Sequence, residues 1–191
     1  MVKIGILAEG QKEDMRAILA DAAARRDIDV EIVFVEHGKD FASLDALVLP
    51  RGKSLRFGEI FGGTSLGRAV AEFSKDMPVL VVCGSMIACA KRFGRGCEGR
   101  KTIGIIDAKV DNGDLDGNLK VVLANGQECI GNFTEAPALS GLGRNVEKIA
   151  TCKGKIVALK DGNAFGFSYV DFSGRSYEQF LQAAAGKHLL P

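Results

Sequence analysis

The sequence predicts an α/β fold built on a mostly parallel sheet with helices on both faces, extended by a C-terminal β-hairpin. Three observations carry this expectation. Short apolar runs alternate with segments of helical period through the first half of the chain. The run "MPVLVVC" is apolar throughout, as a strand buried on both faces must be. In "KIVALKDGNAFGFSYV" a turn sequence separates two apolar runs.

Taken in order, "VKIGILA" reads as the first buried strand. In "QKEDMRAILADAAARR", Met15, Ile18, Leu19 and Ala22 fall on one helical face. "DVEIVFVE" is β-branched and strand-like, and "LDALVLP" is a third apolar run ending at Pro50. "SLGRAVAEFSK" has helical period, with Ser65 as its candidate cap. After "MPVLVVC" the pattern turns helical again in "SMIACAKRF". In the second half, "KTIGIIDAKV" and "NLKVVLA" are strand candidates separated by the turn-rich "DNGDLDGN". Asp161-Gly162 is the expected tight turn of the hairpin, and "SYEQFLQAAAG" closes the chain as an amphipathic helix ended by Gly186.

Composition narrows the function classes. A chain of 191 residues fits one domain over 1–191. With 25 basic and 24 acidic residues, neither nucleic acid nor an anionic membrane surface is an expected partner. No apolar run approaches the roughly 20 residues of a membrane span, and "MVKIGILAEG" lacks a secretory layout. The five cysteines, Cys83, Cys89, Cys97, Cys129 and Cys152, form no C-x-x-C pair, and imidazole comes only from His37 and His188. No metal and no cofactor is expected, and a reduced, cytoplasmic protein is the economical reading.

Ligands of open α/β sheets bind beyond the carboxyl ends of the strands. Here those ends carry "AEG" at 8–10, "PRGKS" at 50–54 and "CGS" at 83–85. A cysteine between a strand and a helix can be a nucleophile whose thiolate the aligned peptide dipoles favour. It can equally be a buried residue, the commoner fate of free cysteine. Position alone favours burial for Cys83, and more strongly for the other four; Cys97, in a Gly-rich loop, is the one candidate for an exposed thiol.

The motifs resemble the class I glutamine amidotransferases, and within them the glutaminase subunit of pyridoxal 5'-phosphate synthase. "KIGILA" resembles that family's first strand, and "LDALVLPRGKS" its strand leading to a Pro-Gly-Gly-Glu-Ser loop. "PVLVVCGSMIACAKR" is similar to the segment built on Gly-Thr-Cys-Ala-Gly, and "GIID" to Gly-Leu-Met-Asp. "NFTEAP" is similar to Phe-Ile-Arg-Ala-Pro, and "AFGFSYVDF" to the strand carrying His-Pro-Glu. The resemblance implies a three-layer, flavodoxin-like fold. It places the nucleophile at Cys83 and the oxyanion-hole N–H groups at Gly84 and Gly52, serving the nucleophile–base–orienter chemistry of covalent hydrolases.

The same resemblance exposes departures. Val170, Asp171 and Phe172 stand where the family has His-Pro-Glu, so base and orienter are replaced. Lys53 replaces the loop glutamate, and Glu135 the arginine before Ala-Pro. Val81 and Ser85 flank the cysteine where the family uses glycine. His37 follows the second strand, and His188 is expected in a tail beyond the last helix. Three readings follow. The first is a non-hydrolytic regulatory, structural or ligand-binding protein with a synthase-type protein partner. The second is a cysteine-dependent hydrolase or amidotransferase in which Cys83 works with a non-standard group, Arg51, Lys53 or Glu9, as in the DJ-1-like proteins that pair an acid with an elbow cysteine. The third is a binding module for a small anionic or amide ligand, using Arg51, Gly52, Lys53, Ser54 and Arg56 with Gly84 and Ser85.

Overall fold

The computed structural model describes residues 1–52, 61–94, 102–134 and 136–188. Its centre is a parallel arrangement of β1 (Val2–Leu7), β2 (Val30–Val35), β3 (Ala46–Leu49), β4 (Val79–Val82) and β12 (Ala164–Phe167), in the spatial order β2-β1-β3-β4-β12. Beyond β12 the sheet continues antiparallel through β11 (Lys155–Asp161), β10 (Glu147–Cys152), β7 (Gly117–Leu123) and β8 (Glu128–Phe133). A branch pairs β5 (Ala90–Phe93) with β6 (Ile106–Asn112) and β6 with β9 (Pro137–Ser140), which meets β11 at Leu139 and Ile156. The hairpin expected from sequence is thus one part of a larger antiparallel extension.

Residues of alternate parity in the parallel strands feed two cores, because successive side chains of a strand point to opposite faces. On one face Leu80, Val82, Phe165 and Phe167 pack with Met15, Ile18 and Leu19 of α1 (Lys12–Ala24) and with Phe180 and Leu181 of α4 (Glu178–His188). On the other, Val79 and Val81 pack with Val70 of α2 (Ser65–Asp76), with Met86 and Ile87 of α3 (Ser85–Cys89), and with Phe41 of the 3-10 turn Gly38–Ser43. Each fully buried side chain of this size contributes about 1.5–3 kcal/mol. Helices on both faces give the three layers.

Several boundaries differ from the sequence expectation for local reasons. The cap of α2 is Thr64, not Ser65: Thr64 is extended and its Oγ1 accepts the Gly67 N–H at 3.0 Å. The helix expected over "SMIACAKRF" stops at Cys89, where Ala90 becomes extended and pairs with β6. Thr102 Oγ1 lies 2.7 Å and 2.6 Å from the carbonyls of Ala88 and Ala90, closing that end. Asp161 pairs with Ala164, so the hairpin turn is Gly162–Asn163, with Gly162 at φ +57°. Gly186 lacks the left-handed backbone of a helix-ending glycine, and α4 runs through it to His188, which is therefore inside the last helix.

Candidate functional site

The site forms where β4 ends. The Cys83 N–H donates to the Phe167 carbonyl at 2.7 Å, carrying the β4–β12 ladder one residue further, and Cys83 then takes φ of +53°. A left-handed backbone at a non-glycine residue costs about 1–2 kcal/mol. Strand, strained cysteine and helix together make the sharp elbow on which nucleophiles are displayed. Gly84 follows in right-handed conformation and leads into α3.

Ser85 holds this turn to the sheet. Its fully buried hydroxyl accepts the Val82 N–H at 3.0 Å and lies 2.7 Å from the Val82 carbonyl and 3.1 Å from that of Leu49. The side chain expected from sequence to contact a ligand therefore ties the ends of β3 and β4 together. The Cys83 side chain is closed off as well, with 0% exposure. Its S–H donates to the Ser168 carbonyl at 3.7 Å, and Glu9 stands partly buried after β1. Burial pushes the thiol up to about 12, with the Arg51 charge pulling the other way. The neighbouring Ser168 hydroxyl is buried and has no hydrogen-bond partner among the described residues.

The residues after β12 point three ways. Val170 is buried, and its backbone N–H and carbonyl both pair with Asn132 at 3.0 Å and 2.8 Å. Asp171 is also buried, with its carboxylate turned onto the next turn. It accepts the Ser173 N–H at 2.9 Å, the Ser173 hydroxyl at 2.6 Å and the Ser176 N–H at 2.8 Å. Phe172 is 59% exposed. Behind them, the Ser176 hydroxyl lies 2.8 Å from the Tyr169 hydroxyl and 3.3 Å from Cys129 Sγ, while the Tyr177 hydroxyl accepts the Asp171 N–H at 3.0 Å. Burial raises both tyrosine hydroxyls above their ordinary range.

The other candidates separate. Arg51 and Gly52 stand at the end of β3, and Arg51 Nη1 donates to Asn132 Oδ1 at 3.2 Å. Lys53, Ser54, Arg56, Cys97 and Glu135 lie outside the described residues. His37 is exposed and caps the 3-10 turn with Asp40. Cys89, Cys129 and Cys152 are buried free thiols. Among the described residues no three metal-ligating side chains converge, and no helix is long and apolar enough to cross a membrane. Sequence reading missed Asn132, Tyr169, Ser176 and Tyr177; only the position of Asn132 within "GNFTEAP" could have flagged it.

A doubly covered sheet with a cysteine elbow beyond its central strand is the fold of the glutamine amidotransferase-like α/β proteins. One solved glutamine amidotransferase superposes with a TM-score of 0.80 at 21% identity, covering 95% of this chain and 98% of that one. A solved protein from Thermoplasma acidophilum, described as part of a GMP synthase, gives 0.67 at 16% identity, covering 98% and 96%. No family model matches the chain. Among curated proteins, the pyridoxal 5'-phosphate synthase subunit PdxT of Streptomyces coelicolor is 31% identical over 179 residues, 87% of this chain and 84% of that protein. The PdxT of Streptomyces avermitilis is 30% identical over 178 residues, and that of Methanosarcina acetivorans 25% over 179. The chain belongs to the PdxT family of glutamine amidotransferase-like proteins.

Proposed function

We propose that this chain is a member of the PdxT family that does not hydrolyse glutamine at an enzymatic rate and instead serves as a regulatory, structural or ligand-binding subunit beside a synthase-type protein. One observation carries the reading. The elbow thiol is sealed from solvent and hydrogen-bonded to a carbonyl, and Val170 stands at the position the family resemblance assigns to the base. The Val170 side chain holds no proton-accepting atom, and Phe172, at the orienter position, is exposed to solvent. General acid–base help contributes roughly 100- to 10,000-fold in rate. The relatives' names describe a synthase subunit, which supports a synthase-type partner here.

The test is ammonia release from glutamine by the purified chain, alone and with a synthase subunit of the kind its relatives serve. The expected result is a rate indistinguishable from that of Cys83→Ala. Turnover that depends on Cys83 refutes the proposal. A second reading, a cysteine-dependent hydrolase, is favoured by the strained elbow beside Arg51; it requires a thiol that titrates near or below its ordinary value.

A further inference from the structure

Arg51 is fixed at both ends. Its carbonyl accepts the Gln11 N–H at 2.8 Å, and Gly10, at φ +74°, lies so close that a Cβ there would come within 2.3 Å of the same oxygen. Its side chain is partly buried and reaches Asn132 across 3.2 Å. Asn132 is itself immobilised: its backbone pairs with Val170, its amide donates to Asn118 Oδ1 at 2.9 Å, and its Oδ1 also accepts from Thr134 at 3.2 Å. The end of β3 that carries Arg51 is tied to the elbow turn by Ser85, whose hydroxyl lies 3.1 Å from the Leu49 carbonyl, and the Arg51 charge acts on the Cys83 thiol against burial.

A guanidinium carries five N–H donors, and the one hydrogen bond this side chain makes among the described residues goes to a neutral carboxamide. Among the described residues no carboxylate pairs with it; Arg26 and Arg92, by contrast, face Glu178 and Asp107. A partly buried cation without a counter-charge is energetically unfavourable, and its planar fork matches a carboxylate or phosphate bidentately. Holding the fork in place beforehand reduces the ordering cost of binding.

We propose that Arg51 is the anion receptor of the elbow site: a small ligand bearing a carboxylate or phosphate binds its guanidinium beside Cys83, with Asn132 as the positioning residue. This ligand class rests on the reading that the thiol does not consume glutamine, so that the site is free to hold another carboxylate- or phosphate-bearing molecule.

The full-length chain is titrated at constant ionic strength with inorganic phosphate in one arm and succinate in the other, by calorimetry and thermal shift. Saturable binding of either probe is expected, and the arm that saturates identifies the oxyanion. Arg51→Gln weakens that binding by about 10- to 100-fold, the worth of a charge-assisted hydrogen bond. Arg51→Lys, which keeps the charge, weakens it less. Asn132→Asp gives Arg51 an internal carboxylate and removes anion binding from a chain that remains folded. No saturable response to either probe, or equal affinity in the wild type and Arg51→Gln, overturns the proposal. Glutamine turnover by a chain that still binds anions through Arg51 refutes the non-hydrolytic reading alone.

Discussion

The chemistry of the elbow can be decided by the rate at which Cys83 is alkylated. A thiol titrating at about 12 instead of its ordinary 9.0 carries about a thousandth of the thiolate at neutral pH, since each factor of ten is worth about 1.4 kcal/mol. Zero exposure adds a second barrier, because the reagent must wait for the elbow to open. The assay is iodoacetamide labelling of native protein from pH 6 to 10, followed cysteine by cysteine by mass spectrometry, with guanidinium-unfolded protein as reference. The native rate should be at least about a thousandfold below the unfolded one at pH 7.5. Its logarithm should rise with pH without a plateau. A plateau with a midpoint below pH 9, or a native rate within about tenfold of the unfolded one, refutes the sealed-thiol reasoning and restores the hydrolase reading.

Three further outcomes follow from the same geometry. Cys83 is neutral in the native state until about 12, while the unfolded chain ionises from about 9.0, so the native state binds more protons in that window and stability falls as pH rises. Cys89, Tyr169 and Tyr177 are raised by burial and act with the same sign, so the urea midpoint should be lower at pH 10 than at pH 7.5 and not equal or higher. Gly10→Ala puts a Cβ against the Arg51 carbonyl at positive φ, and should cost about 1–3 kcal/mol and speed amide exchange at Gln11; an unchanged Gln11 amide contradicts the close approach. Asp171→Ala strands the Ser173 and Ser176 N–H groups and should cost about 3 kcal/mol by urea unfolding, with Asp171→Asn milder; equal midpoints for all three proteins would remove the carboxylate's clamping role.

The parallel half of the fold was legible because its inner strands are buried on both faces and therefore continuously apolar, as in "VKIGIL" and "VLVV". The later strands were harder. β8 reads "ECIGNF" and β10 "EKIATC", short mixed sequences whose strand state depends on partners far along the chain. β5 was hidden for the same reason: "AKRF" continues a helical pattern until pairing with β6 overrides it. The elbow's location could be found from the family resemblance, and position alone favoured a buried thiol, but the partner of its S–H could not be read. That partner is the Ser168 carbonyl, 85 positions away, and the Arg51–Asn132 contact likewise joins residues 81 positions apart.

The pairing of Val170 with Asn132 has an architectural consequence. Val170 follows β12, and Asn132 lies on β8, the opposite end of the run β12-β11-β10-β7-β8. Their two backbone hydrogen bonds join the ends of that run, curling the antiparallel half into a nearly closed ring with the cysteine elbow at its seam. Closure satisfies main-chain groups that a terminal strand would otherwise present to other molecules, and at Asn132 it removes β8 as a template for edge-to-edge association.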